Sequence, residues 1–195
     1  MAAPFYTAVL ASNRATGPAK NTYTTAISVI NAADLIQLPI NGLYVGAKFR
    51  IRVAGILSCV GTTSGTVTFQ VMLGAIVAWT SGALQMTTTA EATLPFVLEV
   101  VLRVTALDTG TGQTPVTAAT LLGQGYASSL ILQLGAGAAA GAVTSSILMV
   151  PAGSPANGTA FASSTTENLD FWTGFSISSA SNGITVNDYV VEQLQ

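Results

Sequence analysis

Residues 48–58 read KFRIRVAGILS, and their alternation decides the fold. Phe49, Ile51 and Val53 interleave with Lys48, Arg50 and Arg52. Successive side chains of a strand point to opposite faces, so this stretch is a strand with an apolar inner row and a cationic outer row. The same period of two recurs in TVTFQVMLGAIVAW (66–79), where Val67, Phe69, Val71 and Leu73 oppose Thr66, Thr68 and Gln70. It is clearest in LPFVLEVVLRVTAL (94–107), with Phe96, Leu98, Val100, Leu102 and Val104 inside and Val97, Glu99, Val101 and Arg103 outside.

Further β-branched or alternating stretches are TYTTAISVI (22–30), DLIQLPI (34–40), ALQMTTTA (83–90), ATLLGQGYASSLILQL (119–134) and VTSSILMV (143–150). LDFWTGFSIS (169–178) and GITVNDYVVEQL (183–194) read as a hairpin turning at Asn182-Gly183. Gly55 marks a bulge, Gly74 a bend, and Asn41-Gly42 a turn, while Pro39 confines its segment to an edge. DTGTGQ (108–113) and PAGSPANG (151–158) are loops. No segment holds a helical period. The expected fold is all-β: an antiparallel β-sandwich or jelly roll with an extended N-terminal arm. Residues 1–33 would form the arm and first strand, and residues 34–195 the jelly-roll domain.

Composition narrows the function. Only 7% of the 195 residues are charged, although half are hydrophobic; ordinary soluble domains carry about 25% charged residues. Six Lys and Arg and a net charge of −2 do not make a groove for nucleic acid, because each phosphate contact needs its own cation. LILQLGAGAAAGAVTSSILMV (130–150) has the length of a membrane helix, about 20 residues. Its glycines, its Thr144-Ser145-Ser146 run and its lack of flanking cations read instead as two strands around a Gly/Ala loop, without membrane insertion. The first residues lack the cation and long apolar run of a secretory leader, so NGT (157–159) reads as a turn. Cys59 is the single cysteine and is expected to be a small buried hydrophobe.

Catalytic chemistry finds little to stand on. The chain has no histidine, which removes the Ser-His-Asp triad, the Cys-His pair and imidazole metal sites. Glu167 with Asp170, or Glu99 with a distant acid, could be paired on paper as glycosidase carboxylates, but any chain with eight acids permits that. GTGQT and GQG lack the Lys of a phosphate loop and read as turns. A non-enzymatic protein without cofactor or metal is expected. In LDFWTGF, Trp172 falls on the face opposite Leu169, Phe171, Thr173 and Phe175, away from the core. It is open to stacking on a sugar, to anchoring a subunit interface, where Trp is enriched, or to edge packing. With charge so scarce, the interface reading leads.

LYVGAKFRIRVAGILS, GTVTFQVMLGAIVAWTSGALQ, PFVLEVVLRVTALDTGTG and the C-terminal LDFWTGFSISSASNGITVNDYVVEQL together resemble a pattern in virion proteins of tailed bacteriophages. There, similar strands with glycines at the bends begin a jelly-roll domain. The likeness spans roughly residues 34–195 and rests on structural positions. It implies a phage structural protein, trimeric, found as a capsid decoration or cement protein or within tail fibres and related appendages. The 195 residues show no coiled-coil stalk or fibrous repeat, which favours decoration of the capsid surface. The expected partners are then the chain itself, as a homotrimer, and the major capsid protein. The alternative is a tail-fibre or tail-tip component that binds host-surface carbohydrate.

Candidate interface residues follow. In the arm, Phe5, Tyr6, Arg14 and Lys20 are spaced anchors for lying across a neighbouring chain, unless the terminus is frayed. Lys48, Arg50 and Arg52 share one strand face, where they either pair with acids such as Glu99 across strands or form a cationic stripe for an acidic partner. Trp172 completes the set.

Overall fold

The computed structural model of the chain describes residues 8–38, 43–61, 65–107, 119–133, 148–150, 159–161 and 167–194, and at 133, 148–150 and 159–161 the backbone alone. The alternating stretches are strands whose inner rows are sealed. In β5 (Lys48–Cys59), Phe49, Ile51 and Val53 are at most 3% exposed, and in β8 (Glu91–Ala106) Phe96, Leu98, Val100, Leu102 and Val104 at most 2%. The remaining strands are β1 (Ala8–Ser12), β2 (Lys20–Asn21), β3 (Ile27–Ser28), β4 (Ile36–Leu38), β6 (Thr66–Leu73), β7 (Ile76–Met86), β9 (Ala119–Ser129), β10 (Leu132–Gln133), β11 (Leu148–Val150), β12 (Thr159–Phe161), β13 (Glu167–Phe175) and β14 (Gly183–Leu194). One 3-10 turn spans Ala32–Asp34.

Two antiparallel sheets result. The first runs β1-β14-β5-β8-β9-β11, with β12 also on β9 and β2 on β14. The second runs β10-β7-β6-β13-β3, with β4 also on β13. The pairs β1·β14, β3·β13, β5·β8 and β6·β7 nest inside one another along the chain. That nested order, wrapped over two sheets, is a jelly roll. The sheets close on an aromatic spine: Phe69 stacks on Phe96 at 5.8 Å and on Phe171 at 5.9 Å. Tyr189 crosses from β14 and donates its hydroxyl to the Leu169 carbonyl at 3.3 Å.

The described part of residues 1–33 lays β1 and β2 along β14 and β3 along β13, so it completes both sheets of its own chain. Asn13 holds it there. Its side-chain oxygen accepts the Tyr189 N–H at 2.9 Å, and its amide donates to the Asn187 carbonyl at 2.8 Å.

The structure departs from the alternation pattern at the connections. Residues 66–79 are two strands of a hairpin, because Gly74 adopts φ +59 and opens a two-residue turn between Leu73 and Ile76. Residues 83–86 are therefore the end of β7. Of residues 22–30, only Ile27–Ser28 pair as strand. Residues 119–134 divide between the sheets: β9 ends at Ser129, whose hydroxyl takes the Ile131 N–H at 3.3 Å, and β10 pairs with β7. The bulge beside Gly55 has its extra residue on the opposing strand, between Val186 and Asp188 of β14. Pro39, Asn41-Gly42 and the loops 108–113 and 151–158 lie outside the described residues.

The largest correction is the C-terminal pair. β13 and β14 belong to different sheets, so Asn182-Gly183 is a corner and not a hairpin. Asn182 explains it. This fully buried side chain donates to the Ile177 carbonyl and accepts the Val60 N–H, both at 2.9 Å, which ties the corner to the end of β5. Asn182→Ala leaves a buried donor and acceptor unmatched and is expected to cost about 2 kcal/mol or more. Urea unfolding measures it: a midpoint unchanged from the parent would remove Asn182 as the anchor of the crossover.

Candidate functional site

The outer face of the first sheet gathers most of the protein's cations. Register places Glu192, Arg50 and Val101 in one row across β14, β5 and β8, and Val190, Arg52 and Glu99 in the next. Arg50 donates through Nε to Glu192 Oε2 at 2.6 Å, with side chains 32% and 14% exposed. That hydrogen bond raises the Arg50 pKa above its ordinary value. Arg52 Nε lies 3.7 Å from Glu99 Oε2, to which the Tyr126 hydroxyl donates at 3.4 Å. Two members of the cationic stripe are thus neutralised within the chain.

Lys48 is not. Its partner across the ladder is Arg103, and both are exposed. Like charges directly opposite on a sheet repel and destabilise the pair. Among the described residues, neither has an acid beside it. Half-buried Leu194 flanks Lys48, and half-buried Leu122 flanks Arg103.

The chain entering β5 adds apolar surface at this same end. Ala47 N–H bonds to the Tyr44 carbonyl at 2.9 Å, closing a turn with Val45 and Gly46 at its centre. Gly46 has φ +94, as the third position of a type II turn requires. Its N–H reaches the Val104 carbonyl at 2.8 Å, fixing the turn against β8 beside Arg103. Tyr44 and Val45 are left 47% and 58% exposed. Two unmatched cations and two exposed apolar side chains thus share one corner. The sequence pattern gave Lys48, but Arg103 joined it only through register, and Tyr44 and Val45 through the turn.

The other candidates lie apart from this corner. Arg14 is exposed beyond β1, its backbone N–H bonded to Asp34 Oδ1 at 3.3 Å. Half-buried Lys20 pairs with Ile184 at the opposite end of β14. Phe5 and Tyr6 lie outside the described residues. Trp172 is half-buried on the outer face of the second sheet. Its indole N–H donates to Asp170 Oδ2 at 2.6 Å. Asp170 Oδ1 accepts the Ser28 hydroxyl at 2.9 Å and the Phe171 N–H at 2.7 Å. Burial pushes the Asp170 carboxyl above the usual aspartate range, while these donors pull it down. Both carboxylate oxygens are therefore engaged. Cys59 is buried, with its thiol 3.3 Å from the Thr89 carbonyl. Among the described residues no cluster of three or more His, Cys, Asp or Glu could hold a metal, and no helix is long and apolar enough to cross a membrane.

No protein-family model matches the chain, and no curated protein matches it. One solved structure aligns with it: the CBM2 module of the evolved Dit of Lactobacillus casei BL23 phage J-1, at 13% identity over 99% of this chain and 80% of that one. The TM-score is 0.33, and a likeness at that level carries no argument about function.

The two ion pairs of the first sheet should differ in strength. A double-mutant cycle on Arg50 and Glu192 is expected to give a coupling of about 1 kcal/mol that shrinks in high salt. The longer, more exposed Arg52–Glu99 pair should give about 0.3 kcal/mol or less. Equal couplings would contradict the geometry.

Proposed function

We propose that this protein is a structural component of tailed-phage virions that docks on the capsid surface as a homotrimer and bridges neighbouring major capsid subunits. The observation that carries this reading is the corner formed by Lys48, Arg103, Tyr44 and Val45. Two cations that repel each other within the chain are relieved by carboxylates from outside it, and the adjoining apolar side chains give the contact buried area. The guanidinium of Arg103 suits bidentate contact with a carboxylate. The partner surface is accordingly acidic with an apolar centre.

The jelly-roll topology and the resemblance over residues 34–195 fit this reading, as does the 7% charge. With so little charge to keep free monomers apart, association is favoured and a trimer would cover one flank. The mechanism is passive and involves no chemical step. Binding the assembled shell but not its free subunits stabilises the assembled state by mass action. A second reading, a tail-fibre or tail-tip component that binds carbohydrate, is favoured by Trp172 on the outer face of the second sheet.

Immunogold electron microscopy of intact virions with antibody to this chain separates the two. Gold over the heads is the expected result; gold confined to tails would overturn the decoration reading. On heads stripped of the protein, Lys48→Glu with Arg103→Glu is expected to weaken rebinding at least ten-fold, about 1.4 kcal/mol. Arg14→Glu, away from the corner, should rebind as the parent does. Undiminished binding by the double variant would sink the role of the corner.

A further inference from the structure

The outer face of the second sheet carries a different surface. Its rows run Thr66–Gln85, Thr68–Ala83 and Gln70–Thr80 across β6 and β7, and Gly174–Thr68 and Trp172–Gln70 across β13 and β6. No formal charge is exposed along these rows, in contrast to the first sheet. Between β6 and residues 24–26 lies a shallow groove of about 260 Å³, lined by Thr24, Ala26, Thr66, Thr68, Gln70 and Gly174. Gly174 is its floor. A Cβ there would sit 3.2 Å from the Ala26 nitrogen and the Thr24 carbonyl, so a larger residue would push that wall aside.

Ser176, at the end of this groove, accepts the Thr66 N–H at 2.7 Å, but three other polar groups facing it are unspent. Among the described residues, the Gln70 amide and the Thr24 and Thr68 hydroxyls have no hydrogen-bond partner in the chain. Each can both donate and accept. Trp172 stands one row beyond Gly174 on the same face of β13, at about 6.6 Å along the strand. Its N–H is taken by Asp170, which is itself held by Ser28 and the Phe171 N–H. To reach Asp170, two residues back on the same strand face, the indole must lie along the sheet and away from Gly174, so Trp172 borders the groove at its Gln70 end and does not line it. What it offers a ligand is therefore a ring surface held in a fixed orientation.

We infer that this groove and the adjoining Trp172 ring form a binding site for neutral glycans. A sugar ring presents one face of C–H groups, which pack on an aromatic ring, and a rim of hydroxyls, which pair with amides and hydroxyls. The uncharged lining gives no hold on sulfated, phosphorylated or sialylated sugars. A pre-positioned aromatic ring costs little entropy on binding. The inference rests on the carbohydrate-binding part of the second reading above and names its site and sugar class, but it does not depend on whether the protein sits on heads or tails, since gold labelling reads location and sugar binding is read separately.

The test is an array of defined oligosaccharides probed with the purified full chain, followed by titration calorimetry on the best binder. The array holds neutral oligomers of glucose, galactose, mannose, rhamnose and N-acetylglucosamine, with sialylated and sulfated glycans as controls. Binding to one or more neutral oligomers is expected. Trp172→Ala should weaken it at least ten-fold. Gln70→Ala should weaken it three- to ten-fold, and Thr68→Arg, which fills the groove from a half-buried position on its lining, should abolish it. Thermal unfolding of each variant checks the fold, and the Gln70 and Thr68 variants keep the test valid if Trp172→Ala unfolds. Absence of neutral binders, preference for the anionic controls, or binding unchanged in folded Gln70 and Thr68 variants would each overturn the assignment.

Discussion

The fold depends on β5 being paired on both edges along almost its whole length. β14 covers one edge from Lys48 to Ser58, and β8 covers the other from Lys48 to Cys59. A central strand so paired has its backbone polar groups satisfied, which lets its inner row enter a core as dry as that around Phe69. The pairing also dictates the nesting. With β14 and β8 on either side of β5, the intervening chain must supply the second sheet, and β6, β7 and β13 do so. A side chain that blocked either ladder would undo the jelly roll rather than one strand. Gly55 is such a point within β5, since a Cβ there would lie 2.0 Å from the Thr185 carbonyl oxygen.

Strand faces were legible from sequence because a buried sheet face enforces period two. The inner rows of β5, β8 and β13 were read correctly down to single residues, and Trp172 was placed on the outer face. Connections were less legible. Gly74 and Asn182-Gly183 look alike in sequence, as small or turn-prone residues between apolar runs. One closes a hairpin within a sheet, and the other carries the chain between sheets. The difference lies in what the neighbouring side chain reaches: Asn182 ties Val60 to Ile177, partners 122 and 5 residues away. No local pattern records the first of those. The same holds for the corner patch. Lys48 and Arg103 are far apart in the chain, and only register sets them opposite each other.

The two sheet surfaces divide the small stock of polarity between them. The first holds four of the six cations, Lys48, Arg50, Arg52 and Arg103, with acids answering two of them. The second relies on Thr, Gln and Ser, and Asp170, in the middle of β13, is withdrawn beneath three donors. Surfaces so different suit different neighbours. Charge at the rim of a contact mainly sets register and encounter rate, while neutral hydrogen bonding with an aromatic ring selects shape. A single sandwich can therefore hold one partner on one side while the other side stays free.

The nesting that begins with β1 on β14 has a geometric consequence for anyone building with this chain. Ala8 lies opposite Gln193 in the ladder, so the polypeptide enters and leaves the described body on the same edge. A few flexible residues would suffice to join those ends. The joined chain could then be opened at the exposed tip between β6 and β7, giving a circular permutant with the same two sheets. Two cargo domains fused next to Ala8 and Gln193 would be held side by side and presented as a pair.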